Sequence, residues 1–180
     1  MSIVKELEKN TFKSLKDELG LPNVMAAPRL EKVVISVGTG RVTKDKNRMA
    51  LIADRLAQIT GQKAASRGAK QSVAAFKIRE GDKIGYQVTL RGARMYDFLD
   101  KLVHVALPRT RDFRGLKPTA IDEMGNFTIG IKESTIFPET TDEDLKDVFG
   151  LAITVVTSAS DKKSAEAFLR HLGFPLQKPE

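Results

Sequence analysis

Basic side chains set among small ones are the most chemically suggestive feature of this 180-residue sequence. Lys63, Arg67, Lys70, Lys77 and Arg79 follow one another with no acidic residue between Lys63 and Arg79, and such a run attracts polyanions. Ala64, Ala65, Ser66, Gly68, Ala69 and Ser72 are interleaved. Small side chains let a backbone come close and leave amides open to phosphate oxygens. Phe76 is read first as a core residue of its strand and second as a stacking face for an unpaired base. A second group, Gln87, Thr89 and Arg91, occupies alternate positions, with Arg94 just beyond. These side chains suit phosphates, 2′-hydroxyls and base edges, although sheet surfaces also carry polar residues routinely. The third group is Leu107-Pro108-Arg109-Thr110-Arg111-Asp112-Phe113-Arg114-Gly115. Its arginines around one aromatic suit RNA or an acidic protein surface, and a turn held by an Arg–Asp pair is the plain alternative.

Catalytic readings fail for want of partners. There is no G-x-S-x-G nucleophile signature. Gly38-Thr39-Gly40 follows a strand-like run but has neither phosphate-loop nor dinucleotide-loop spacing, so a tight strand-to-helix turn explains it better than a nucleotide site at Gly38 to Arg41. Asp142-Glu143-Asp144 stands where acids favour the first turn of a helix. His104, within an amphipathic helix, and His171, at a helix C-terminus, are expected to be structural. No cofactor and no metal site are expected. The sequence has no cysteine and two histidines, which leaves no thiolate ligand and suits a reducing compartment. No apolar run approaches the roughly 18 residues of a membrane span, so a cytoplasmic protein without membrane contact is expected.

The elements that must carry these residues follow from periodicity. Val4, Leu7, Phe12, Leu15 and Leu19 mark a helix over 2–19, stopped by Gly20 and Pro22. Val33, Ile35 and Val37 alternate with Lys32, Val34 and Ser36 in a strand over 29–37. A helix with Met49, Ile52, Ala53, Leu56 and Ile59 on one stripe ends at Gly61. Short strands are predicted at 63–67 and 73–79, and a clearer one at 84–91 with Ile84, Tyr86, Val88 and Leu90 on one side. A helix over 92–106 turns Met95, Phe98, Leu99, Leu102 and Val105 inward and ends at Pro108. Strands at 126–131 and 151–157 and a helix over 161–172 complete the chain. With no repeat, low-complexity tract or linker, one domain over 1–180 is expected. Neighbouring strands with interspersed helices predict an α+β fold, an antiparallel sheet with helices packed on one face and the other face and loops open. Charge divides unevenly: 24 Lys and Arg against 12 Asp and Glu through Pro118, then 6 against 11. A polyanionic partner is therefore expected on the first two thirds.

The string at 107–115 resembles the hallmark of bacterial ribosomal protein L five, the 5S-rRNA-binding family of the large subunit. Pro28-Arg29-Leu30-Glu31-Lys32-Val33-Val34-Ile35, Ile59-Thr60-Gly61-Gln62-Lys63, Phe76-Lys77-Ile78-Arg79, Ile136-Phe137-Pro138-Glu139 and Leu172-Gly173-Phe174-Pro175 resemble further blocks of that family, in its order. The resemblance implies a non-enzymatic constituent of the central protuberance that contacts 5S rRNA, 23S rRNA, peptidyl-site tRNA and other large-subunit proteins, with a bridge to small-subunit protein thirteen. It puts the 5S contact on Arg29, Lys32, Gln62, Lys63, Thr89 and Arg91. Ser36 stands where the family has asparagine, exchanging a carbonyl and an amine for one hydroxyl. With Arg67 and Arg94 from the basic groups above, these form the expected rRNA surface. The loop over 69–83, with Lys70, Lys77, Arg79 and Lys83, is expected to reach the tRNA. Gly81 and Gly85 would allow its turns, and Glu80 and Asp82 would weaken the field at its tip. Arg109, Arg111 and Arg114 are assigned to the bridge. The other functional reading is an RNA-binding regulator or chaperone outside the ribosome.

Overall fold

The computed structural model describes residues 2–42, 45–111, 113–140 and 148–177. Asp112 and the acidic run Asp142-Glu143-Asp144 lie outside the described residues, as do Thr43 and Lys44. Helix α1 (Ile3–Leu19) starts where Ser2 Oγ accepts from the Lys5 amide, and helix α2 (Lys46–Thr60) where Asp45 Oδ1 accepts from the amides of Asn47 and Arg48. Each such cap contributes on the order of 1 kcal/mol. The Ile3 and Val4 amides of α1 donate to the Asp100 carboxylate at 3.0 and 2.9 Å, where an acid also complements the helix dipole. Gly20 and Gly61 close the two helices. Helix α3 (Ala93–Lys101) and helix α4 (Lys162–His171) follow later in the chain.

Strands β1 (Leu30–Gly38), β2 (Ala65–Gly68), β3 (Lys83–Leu90), β4 (Phe127–Ile131) and β5 (Leu151–Thr157) form one antiparallel sheet in the order β2-β3-β1-β5-β4. The fold is α+β, as the alternation of patterns predicts. Along β1, Val33, Ile35 and Val37 are buried while Lys32, Val34 and Ser36 are half-exposed. In β4, Phe127, Ile129 and Ile131 are buried and Thr128 and Gly130 exposed; in β5, Ile153, Val155 and Thr157 are buried and Thr154 and Val156 partly open. Each of these strands has one core side and one open side.

Contacts group the chain into two units. The first comprises Met1–Val33, Leu90–Ile129 and Thr154–Glu180; the second comprises Val34–Thr89 and Gly130–Ile153. In the first, α1 packs against α3 and α4 around Val4, Leu99, Phe127 and Phe168, all fully buried. The rings of Phe127 and Phe174 meet edge-to-face at 6.0 Å. In the second, α2 packs against the 3-10 turn Pro138–Thr140 and buries Met49, Ile52, Leu56 and Ile59. Burying side chains of this size stabilises by about 1.5–3 kcal/mol each.

Two elements differ from expectation. Residues 73–79 are not a strand: Val73 and Ile78 form a single bridge around a 3-10 turn, Ala74–Phe76. The chain must reverse there, and a reversal leaves no length for a ladder. The helix predicted over 92–106 keeps its extent but changes phase, because α3 runs on into a π turn, Leu102–Ala106, with the Leu107 amide donating to Leu102 O at 2.9 Å. The wider turn holds an extra residue. It brings Val103, Ala106 and Leu107 into the core and leaves Val105, expected inside, 39% exposed.

Candidate nucleic-acid interface

In the second unit the polar side chains of β3 sit opposite its core side, where Val88 is buried. Strands β2 and β3 pair antiparallel, with Ala65 opposite Gln87 and Arg67 opposite Gly85. Arg67 Nε donates to Gln87 Oε1 at 2.6 Å. That bond fixes the guanidinium plane while leaving other N–H groups of the fork to face outward. Gln62, two residues beyond α2, donates from Nε2 to Thr89 O at 3.3 Å, and its backbone is held through Thr60 Oγ1. So the sequence-predicted Gln62 and Thr89 are brought together, with exposed Lys63 next to Gln62. Ser36 is half-buried, on the open side of β1.

Gly85 does not serve the turn predicted for it. It lies inside β3, where a Cβ would fall 2.8 Å from Val37 O, so glycine is required by the close approach of two backbones. Gly81, at φ +87°, does make the turn. The loop between β2 and β3 is hydrogen-bonded within itself. Ala69 N donates to Asp82 O, Gly81 N to Ala69 O, Arg79 N to Asp82 Oδ2 and Glu80 N to Ser72 Oγ. These bonds put Glu80 and Asp82 at the base of the loop and Ala74–Lys77 at its tip, correcting the expectation that the acids weaken the tip's field. They also commit the Ala69 amide, which the sequence suggests is open to phosphate. Phe76 is 74% exposed and is no core residue, because the 3-10 turn carries it out of any strand. Lys70, Lys77, Arg79 and Lys83 are all exposed.

In the first unit, Arg29 is exposed and enters β1 through paired bonds with Ser158: its amide donates to Ser158 Oγ, and Ser158 N donates to its carbonyl, each at 2.9 Å. Lys32 is half-exposed on the open side of β1. Arg91 Nη1 donates to Glu31 O at 3.4 Å, and Arg94 is exposed in the first turn of α3. Thr128 and Thr154 bring their hydroxyls within 3.1 Å of each other on the open sides of β4 and β5. Sequence reasoning did not select these two threonines, although the alternation in both strands was the signal for them. Arg109, Arg111 and Arg114 are exposed beyond the π turn. The far end of that segment is fixed where Leu116 N donates to Pro175 O and Gln177 Nε2 to Arg114 O.

The arrangement offers donors and cations for phosphates and base edges and little for catalysis. His104 Nδ1 lies 3.1 Å from Asp100 O and His171 Nε2 2.8 Å from Leu7 O, which are structural contacts. At Gly38-Thr39-Gly40 the Thr39 amide donates to Ile84 O, Val42 N to Thr39 O and Asp45 N to Val42 O, so those amides are not open to a phosphate. Among the described residues no cluster of His, Asp and Glu gathers into a metal centre, and no helix is long and apolar enough to cross a membrane.

Residues 23–79 match the family described as ribosomal protein L5, and residues 83–176 match the model of that ribosomal family's C-terminus. The chain belongs to the ribosomal protein L5 family. It is 49% identical over 170 residues to the large ribosomal subunit protein uL5 of Dichelobacter nodosus, covering 94% of this chain and 95% of that one. It is 46% identical to the uL5 of Flavobacterium johnsoniae, covering 96% and 94%. For the uL5 of Trichlorobacter lovleyi the identity is 44%, covering 98% and 99%. The L5 family is one of ribosomal structural proteins and not of enzymes.

Proposed function

We propose that residues 1–180 work as one RNA-binding ribosomal domain that anchors 5S rRNA to the large subunit in the cytoplasm. The observation that carries this is the set of exposed donors on and beside β3, with Gln62 bonded to the Thr89 carbonyl and Arg67 to Gln87. Together with Arg29, Lys32, Ser36, Lys63, Arg91 and Arg94 they form the rRNA surfaces of the two units, and 23S rRNA is met from the same body. The hydrogen-bonded loop 69–83 carries Phe76 and Lys77 toward the peptidyl-site tRNA, where the exposed ring stacks on a base. Arg109, Arg111 and Arg114 serve the bridge to small-subunit protein thirteen.

The test is a gel-shift titration of the chain against 5S rRNA and a size-matched control RNA over a salt series. Affinity for 5S rRNA is expected to exceed that for the control at every salt concentration and to fall with salt as phosphate contacts release counterions. Equal affinity for the two RNAs throughout refutes the proposal. Exclusion of the chain from purified large subunits, despite specific 5S binding, would favour a role outside the ribosome.

A further inference from the structure

Beside α1 the first unit holds a pocket of about 320 Å³, which shares only Arg29 with the surfaces above. Its mouth carries Val24 and Met25, which are 62% and 70% exposed. They are displayed by a braced 3-10 turn, in which the Ala26 amide donates to Asn23 Oδ1 at 2.9 Å and the Ala27 amide to Val24 O at 3.3 Å. Large apolar side chains held out in a fixed turn beside a concavity mark an interaction site. The charge around them is one-sided. Lys5, Lys9 and Arg29 line the pocket, and its lone carboxylate, Glu8, is already engaged. Glu8 Oε1 accepts from the Leu30 amide at 2.7 Å, and Oε2 accepts from the Tyr96 hydroxyl. Lys5 Nζ lies 5.9 Å from the centre of the Tyr96 ring.

A lining that sets apolar side chains beside cations suits a ligand with a flat, weakly polar part joined to an anion. A nucleotide splayed out of an RNA strand has that form, and its base stacks on apolar and aromatic side chains whatever its sequence. We propose that this pocket receives one unpaired rRNA nucleotide, with its base against Val24 and Met25 and its phosphate at Lys9 and Arg29. The inference rests on the rRNA-binding reading, because Arg29 both lines the pocket and leads into the strand that carries Lys32. An acidic peptide would also meet the cations, and the experiment separates the two.

A photoreactive benzophenone amino acid replaces Val24 in the full chain, which is assembled into large subunits and irradiated, and the attachment point is mapped by primer extension on 5S and 23S rRNA. One stop at an unpaired nucleotide is expected. A crosslink to a protein, a stop within a duplex, or no rRNA crosslink overturns the proposal. In a second arm, the Val24→Ser/Met25→Ser chain and the milder Met25→Gln chain are compared with Arg91→Ala for binding to 5S and to 23S rRNA. Both positions are exposed, so the melting temperature should be unchanged, and affinity for the crosslinked rRNA should fall roughly tenfold in the double variant. If Arg91→Ala weakens rRNA binding and the pocket variants do not, the pocket proposal fails while the rRNA reading stands. If none of the variants weakens it, the rRNA reading fails and takes the pocket with it.

Discussion

Replacing Arg91 by alanine separates a binding role from a folding role. The side chain is exposed, and its hydrogen bond among the described residues, Nη1 to Glu31 O, is 3.4 Å long, beyond the usual range for N–H···O bonds. Removing it from the free protein should cost no more than about 0.5 kcal/mol. For a chain of this size that is a fall of roughly 1–2 °C in melting temperature. On rRNA the same guanidinium would make a charge-assisted bond to phosphate, worth about 1.5–3 kcal/mol, or roughly 10–150-fold in affinity. Losing one phosphate contact should also make the slope of log affinity against log salt shallower by about 0.7–0.9. Gel-shift titrations of 5S rRNA over a potassium chloride series, with thermal melts followed by circular dichroism, read both quantities. Affinity within about twofold of the parent chain, or a melting temperature lowered by more than about 4 °C, would refute the reasoning.

Phe76→Ala, or replacing residues 74–77 by two glycines, should lower tRNA occupancy of the peptidyl site in reconstituted ribosomes while 5S affinity is preserved, since the bonds that join the two arms of the loop, Val73 to Ile78, Ser72 to Glu80 and Ala69 to Asp82, lie below that tip; unchanged occupancy would dismiss the contact. Arg109→Ala with Arg111→Ala should impair joining of the subunits in sucrose gradients more than 5S binding, and the reverse pattern would reassign the segment. Gly85→Ala should destabilise by about 1–3 kcal/mol, because its Cβ would meet Val37 O at 2.8 Å; a melt matching that of the parent would show that the strands separate at little cost. Burial, then the Glu8 carboxylate, push the Tyr96 hydroxyl up to about 12, so the fold favours the neutral phenol. That contribution is complete below the ordinary tyrosine value of about 10 and is lost as pH rises from there through about 12. Alkaline melts of Tyr96→Phe should lack this loss, and an identical pH profile in the two chains would exclude it.

Local rules made much of this protein legible in its sequence. The stripe Met49, Ile52, Leu56 and Ile59 and the alternation of Val33, Ile35 and Val37 dictate α2 and β1, because a periodic pattern has one arrangement that buries its apolar side. The same alternation identified the outward residues Lys32, Ser36 and Thr89. Tertiary structure decided what periodicity cannot encode. Whether 73–79 is a strand depended on where the chain reverses, and that reversal turned Phe76 from an expected core ring into an exposed one. Val105 was displaced by a π turn whose extra residue leaves no mark on a 3.6-residue pattern. The need for glycine at position 85 arises from Val37, which is distant in sequence and touches only through the sheet. The bonds of Glu8 to Leu30 and Tyr96, and with them the pocket beneath Val24 and Met25, likewise join residues far apart along the chain. Contacts of that kind are set by packing, and no single stretch of sequence contains them.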